Sequence, residues 1–189
     1  MKKKLAVFAS GAGSNAQKII EHFKNSAVAE VSLIVCNKPG AGVLTIADKE
    51  GIEQLLIEKD QYKKDGYAAF LKEKGIDFII LAGFLLKIPL PLIEAFPRKI
   101  INIHPALLPN YGGKGMYGAF VHQAVIANKE KQSGITIHYV DEHYDHGATI
   151  FQASCDIDAT DTPESLAQKI HVLEHQHFSK VIDQLVSQL

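Results

Sequence analysis

Asn102 and His104 end the apolar stretch Ile100-Ile101-Asn102-Ile103-His104, and Pro105 stops it. A strand has a side-chain period of two, so Asn102 and His104 share one face while Ile101 and Ile103 take the other. A parallel strand buried between helices is apolar on both faces, so an amide and an imidazole at its C-terminal tip need a reason. Open α/β sheets bind their ligands just beyond the carboxyl ends of the strands, where such groups could meet a bound molecule. The competing explanation is a hydrogen-bonded core Asn and a loop-anchoring His, because buried polar groups are commonly kept when they are satisfied.

Three other stretches carry chemistry-bearing residues. Ser10-Gly11-Ala12-Gly13-Ser14-Asn15 follows the apolar run Leu5–Ala9 and precedes an amphipathic segment from Ala16 to about Lys24. Bare amides at such a helix start, with the helix dipole, make an anion site, and glycines let a phosphate approach closely. Gly11, Gly13 and Ala16 also match a dinucleotide fingerprint, but the second strand, Val31–Cys36, ends in Asn37-Lys38 where a ribose-binding acid should stand. Phosphate binding is therefore expected and NAD is not; a tight strand-to-helix turn is the plainer alternative. Asp141-Glu142-His143-Tyr144-Asp145-His146-Gly147 is rich in titratable groups, as a merely solvated loop would also be. His171-Val172-Leu173-Glu174-His175 fits a zinc-peptidase signature on a helix, but no glutamate follows Glu174 to supply a third ligand, so no metal site is expected.

These residues need a frame to position them. At 189 residues and 47% apolar, one domain spanning 1–189 is expected. Lys plus Arg number 20 against 21 for Asp plus Glu, so no net field recruits nucleic acid or an anionic membrane. Cys36 and Cys155 lack C-x-x-C spacing and lie in apolar segments, which favours reduced thiols in a cytoplasmic protein. Apolar strands and helical segments alternate through Ile103, with a helix over Gly42–Glu50, one continuous helix over Asp60–Lys74 and a strand over Asp77–Leu81. That order predicts an α/β fold: an open, mostly parallel, doubly wound sheet. Asn110–Gly118 holds four glycines in nine residues and reads as a surface loop; its Gly-Gly-Lys-Gly is not a P-loop. Gly134–Val140 and Thr149–Cys155 predict an antiparallel C-terminal strand pair. A long C-terminal helix follows, with Asp161 and Glu164 as its capping box, Pro163 in the first turn, and Leu166, Ile170, Leu173, His177 and Val181 as its inner stripe.

Taken together, Gly11-Ala-Gly-Ser-Asn15, Leu81-Ala-Gly-Phe84, Asn102-Ile-His-Pro-Ala-Leu-Leu-Pro109, Gly134–Val140 with Asp145-x-Gly147, and Glu174-His175 resemble the phosphoribosylglycinamide formyltransferases, folate-dependent enzymes of purine synthesis with a Rossmann-like fold. The resemblance covers nearly the whole chain. It implies Asn102, His104 and Asp145 as catalytic residues, and 5'-phosphoribosylglycinamide and 10-formyltetrahydrofolate as substrates. It puts the phosphate on Gly13, Ser14 and Asn15, and further ribotide contacts on His171 to Glu174. Folate contacts would fall on Leu85, Leu86, Lys87 and Ile88, on Asn102, and on Asp141, Glu142, His143, Tyr144 and Asp145. Lys64 would stand in for an arginine that contacts folate, and Leu86 replaces an arginine common in the family.

The implied chemistry suits these residue types. An amine attacking a formyl group passes through a tetrahedral oxyanion, which needs fixed donors where charge develops; Asn102 and a protonated His104 could supply them. A carboxylate at Asp145 would raise the His104 pKa and could accept the ammonium proton. The expected alternatives are a formyltetrahydrofolate hydrolase, whose family carries an extra N-terminal domain, and methionyl-tRNA formyltransferase, which carries an extra C-terminal one. A nucleotide-binding module without catalysis is the third.

Overall fold

The computed structural model describes residues 1–189. The strands are β1 (Lys3–Ala9), β2 (Ala29–Cys36), β3 (Glu53–Leu56), β4 (Phe78–Leu81), β5 (Ile100–His104), β6 (Gln132–Tyr139) and β7 (Thr149–Asp156). They form one sheet in the order β3-β2-β1-β4-β5-β6-β7. β3 through β5 are mutually parallel; β6 is antiparallel to β5, and β7 to β6. Because β2 lies on one side of β1 and β4 on the other, the strand order reverses there, which opens a crevice at the carboxyl ends.

The helices are α1 (Ser14–Phe23), α2 (Gly42–Glu50), α3 (Lys59–Asp65), α4 (Ala68–Glu73), α5 (Leu90–Ala95), α6 (Ala119–Ala127) and α7 (Pro163–Val186). Alternation along β1 explains the layers: Leu5, Val7 and Ala9 point into a core shared with α1, α2, α6 and α7, whereas Ala6 and Phe8 point into one shared with α3, α4 and α5. β4, apolar at every position, is fully buried and sits centrally, as a strand covered on both faces must be. Along β5, Ile101 and Ile103 face the first core, and Ile100 the second, so Asn102 and His104 take the Ile100 face.

Three expectations are corrected. The segment Asp60–Lys74 is two helices, broken where Gly66 and Tyr67 adopt left-handed φ of 63° and 59°. Asp65 accepts the Tyr67 N–H at 2.8 Å, and the Tyr67 hydroxyl accepts the Glu58 N–H at 3.0 Å, so side chains replace the helix bonds and turn α4 towards α5. At the start of α7 the capping box is Thr162 with Ser165, not Asp161 with Glu164: Thr162 Oγ1 accepts the Ser165 N–H at 3.2 Å and Ser165 Oγ the Thr162 N–H at 2.9 Å. Asp161 instead pairs with Lys169 at 2.5 Å, and the Lys169 ammonium holds its carboxyl down at about 2. The inner stripe of α7 also runs differently, through Leu166, Ile170, Glu174, Phe178 and Val181–Ile182, with Leu173 and His177 only half-buried. Following the 3.6-residue period past Ile170 puts a carboxylate in that stripe. No helix is long and apolar enough to cross a membrane.

Candidate active site

The reversal point of the sheet opens into a cavity of about 780 Å³. Its floor is the tips of β4 and β5; its walls are the Gly11–Asn15 turn, the Ala82–Ile88 segment, the Gly113–Ala119 loop, the 141–145 loop and the first turns of α7.

At the floor, three elements meet. His104 is 3% exposed. Its Nε2–H donates to the Tyr111 carbonyl at 2.7 Å, which leaves Nδ1 directed at Asp145 Oδ2, 3.6 Å away. Antiparallel register sets Asn102 opposite His138 and His104 opposite Thr136. His138 donates from Nδ1 to the Tyr139 carbonyl at 2.8 Å, and its Nε2 accepts from Asn102 Nδ2 at 3.2 Å, which orients the Asn102 amide. Asp145 arrives from the loop after β6 with a left-handed φ of 58°. It lies 3.6 Å from His138 Nε2 and accepts the Gly113 N–H at 2.8 Å. The loop reaches the strand tips because Gly147 crosses against β6; a Cβ there would overlap the Tyr139 carbonyl. Below, Thr136 Oγ1 donates to the Ala106 carbonyl at 2.7 Å and accepts the Leu108 N–H at 3.0 Å, pinning the turn that leaves β5.

Electrostatics modify the expected state of His104. Its pKa is lowered, because burial outweighs the attraction of Asp145 and the Tyr111 carbonyl. The ring is therefore neutral in the ligand-free protein, not protonated. Burial pushes Asp145 up, yet it is held below the ordinary carboxylate value: the Gly113 N–H donates to it whatever the state of the rings, and His138 and His104, each 3.6 Å away, add attraction once protonated. The result is a carboxylate beside a neutral imidazole, a pair ready to take one proton.

The other wall belongs to α1 and α7. Gly13 caps α1 at φ 84°, and the N–H groups of Ser14, Asn15 and Ala16 precede the first α1 hydrogen bond, Gln17 to Gly13. A Cβ at Gly13 would lie 2.9 Å from Val43, so glycine there also serves close packing on α2 while its backbone lines the cavity. Across the cavity, Glu174 Oε2 accepts from Asn15 Nδ2 and from His171 Nδ1, each at 2.9 Å. This bond to Glu174 raises the His171 pKa. Thus Gly13, Ser14, Asn15, His171 and Glu174, separated in sequence, are one wall.

Leu85, Leu86, Lys87 and Ile88 line the far side with Asp141, His143 and Tyr144, and Lys87 Nζ sits 5.9 Å from the Tyr144 ring centroid. Lys64 and Glu142 do not line the cavity. Lys64 lies in the last turn of α3, whose Tyr62 packs into the second core on the same face of the sheet as Asn102 and His104, and Glu142 points to solvent beside His143. His138, the Tyr111 carbonyl and His122 belong to the site without having been singled out. Only for His138 did the sequence carry a signal: Thr136 and His138 repeat, on a neighbouring strand, the polar alternation of Asn102 and His104. His122, 6% exposed on α6, lines the cavity and is held neutral by burial.

Donors at a strand tip, a proton-accepting pair and a helix start with free amides around one cavity are parts that suit acyl transfer to a phosphorylated acceptor. Known proteins agree. A model of the formyl transferase family matches residues 3–182. The chain is 44% identical to a chloroplastic phosphoribosylglycinamide formyltransferase of Arabidopsis thaliana over 96% of its own length, but spans only 64% of that relative. It is 40% identical to the phosphoribosylglycinamide formyltransferase of Bacillus subtilis, covering 97% of this chain and 95% of that one. The crystal structure of the Bacillus halodurans phosphoribosylglycinamide formyltransferase superposes with a TM-score of 0.89 at 36% identity, over 98% of this chain and 96% of the other. Match and architecture together put this chain in the formyl transferase family.

Proposed function

We propose that this chain transfers the formyl group of 10-formyltetrahydrofolate to the amine of 5'-phosphoribosylglycinamide, in de novo purine synthesis, with residues 1–189 acting as one formyltransferase domain. The observation that carries the reading is the meeting of Asn102, His104 and Asp145 at the cavity floor, opposite the anion-binding turn of α1. The ribotide phosphate would rest on the α1 amides, with Glu174 and His171 beside its sugar; the folate would lie between Leu85–Ile88 and the 141–145 loop.

The chemistry follows from the protonation states. An α-amine enters mostly as ammonium, with a pKa of about 8. Asp145 and His104 take one proton from it, which frees the nitrogen lone pair and turns His104 into an imidazolium beside a carboxylate. The nitrogen adds to the formyl carbon, and the carbonyl oxygen becomes an oxyanion facing Asn102 Nδ2–H and the new His104 Nδ1–H. When the bond to the folate nitrogen breaks, its electron pair takes the stored proton. One C–N bond forms, one breaks, and the second ammonium proton leaves to solvent. Amine attack on a formyl group needs no metal, and the balanced charge of the chain offers nucleic acid no general attraction. Two free thiols, Cys36 and Cys155, suit a reducing cytoplasm.

An absorbance assay of folate deformylation tests the reading. Deformylation should require the ribotide and be stoichiometric with it. Deformylation with water as sole acceptor would indicate the hydrolase, and binding of the ribotide without turnover would indicate a nucleotide-binding module.

A further inference from the structure

His104 and Asp145 are held by the same short strip of chain. Tyr111 presents its carbonyl to His104 Nε2–H at 2.7 Å, and Gly113 gives its N–H to Asp145 Oδ2 at 2.8 Å. The strip leaves the regular path of the chain, since Tyr111 has a left-handed φ of 57°, uncommon for a bulky side chain. What keeps it there is the Tyr111 side chain. Its ring packs against the core beneath α6 and α7, and its hydroxyl donates to Glu130 Oε1 at 2.6 Å and accepts from Asn128 Nδ2 at 2.9 Å. Asn128 and Glu130 belong to the α6–β6 turn, which takes no part in lining the cavity.

We propose that Tyr111 is a positioning residue for the formyl transfer: anchored by Asn128 and Glu130, it fixes the strip that sets the His104 tautomer and the orientation of Asp145. A carbonyl only accepts, so the bond to Tyr111 requires the His104 proton on Nε2 and leaves the Nδ1 lone pair towards Asp145 and the cavity. The opposite tautomer would put a proton on Nδ1 before the substrate amine arrives and block its transfer. The inference rests on the formyl-transfer reading for its kinetic consequence but not for its structural one, because the tautomer exists in the ligand-free protein. Besides Asp145, His138 and His122 bear on the His104 charge, and all three stay in place in the variants below.

The test combines ¹⁵N-detected NMR of His104 in ligand-free protein with kinetics on Tyr111→Phe, Glu130→Ala and Glu130→Gln. The native protein should show the Nε2–H tautomer alone. Tyr111→Phe and Glu130→Ala should show a mixture, lower kcat by roughly tenfold as expected for a misplaced group, change both KM values by less than about twofold, and alter the acid limb of the kcat profile. Glu130→Gln, which keeps an acceptor for the hydroxyl, should restore both signals. A merely structural role would lower Tm while leaving tautomer, kcat and pH profile native, and that result overturns the proposal; so does a mixed tautomer in the native protein. If Tyr111→Phe fails to fold, Glu130→Ala and its Gln counterpart decide the matter. A native tautomer pattern with no formyl transfer would sink the function and leave the positioning claim standing.

Discussion

At the scale of single residues, the site works by keeping charges in unequal environments. Asn102 is oriented by His138, and one N–H of its amide remains free for the cavity. If that N–H meets the oxyanion, Asn102→Ala should lower kcat by roughly 10²- to 10³-fold with little change in Tm, because the residue is only half-buried. A collapsed Tm with kcat reduced only in proportion to unfolded protein would assign Asn102 to the core instead. His104 shows where residue-level reading fell short. A neighbouring carboxylate was expected to raise its pKa, but desolvation wins at 3% exposure. Sequence spacing can suggest that two groups meet; it carries nothing about how completely water is excluded from them.

At the scale of elements, alternation and glycine punctuation revealed the buried strands and the parallel character of most of the sheet, because buried strands read as short apolar runs. The antiparallel pairing of β6 with β7 was legible, but that of β5 with β6 was not. His138 became a partner of Asn102 only through the register of β5 with β6, a non-local fact. The break at Gly66-Tyr67 did carry a local signal, the Asp65-Gly66 turn dipeptide, which the helical spacing of Tyr67, Phe70 and Leu71 overshadowed. Thr136 is the element-scale test. It is fully buried and bonds the Ala106 carbonyl, the Leu108 N–H and Gln152 Nε2 at once. Thr136→Val keeps the shape and removes those bonds, so urea denaturation should show a loss of about 1–3 kcal/mol for the buried groups left unsatisfied. The turn after His104 would loosen with it, so kcat should fall as well. Unchanged stability would mean that the Pro105–Leu108 turn is held by packing alone.

At the scale of the whole molecule, buried neutral histidines tie stability to pH. His104 and His122 both have pKa values lowered below 6.5 by burial. The unfolded chain therefore binds more protons than the folded one as pH drops through 6.5, and their contribution, present above that value, is lost on acidification towards their folded values. His171 acts in the opposite sense, since Glu174 raises it, but its exposed ring makes the effect small. Tm should therefore decline from pH 7 to pH 5, and His122→Asn should flatten that decline. A Tm that rises over the interval would show that His171 and the surface pairs dominate. The global arrangement also explains why the site was partly readable in advance. Strand tips and one helix start converge on the reversal of strand order, so motifs far apart in sequence were bound to meet there, whereas Lys64, in the last turn of α3, lies outside the cavity.

Fate of the formyl carbon tests the central claim most directly. In a single turnover with ¹³C-labelled formyl donor and excess ribotide, ¹³C NMR should show the label leaving the folate formamide and appearing only as a formamide on the glycinamide nitrogen, one equivalent per protein, without labelled formate. Labelled formate in the presence of the ribotide, or a donor resonance that never decays, would contradict formyl transfer by Asn102, His104 and Asp145.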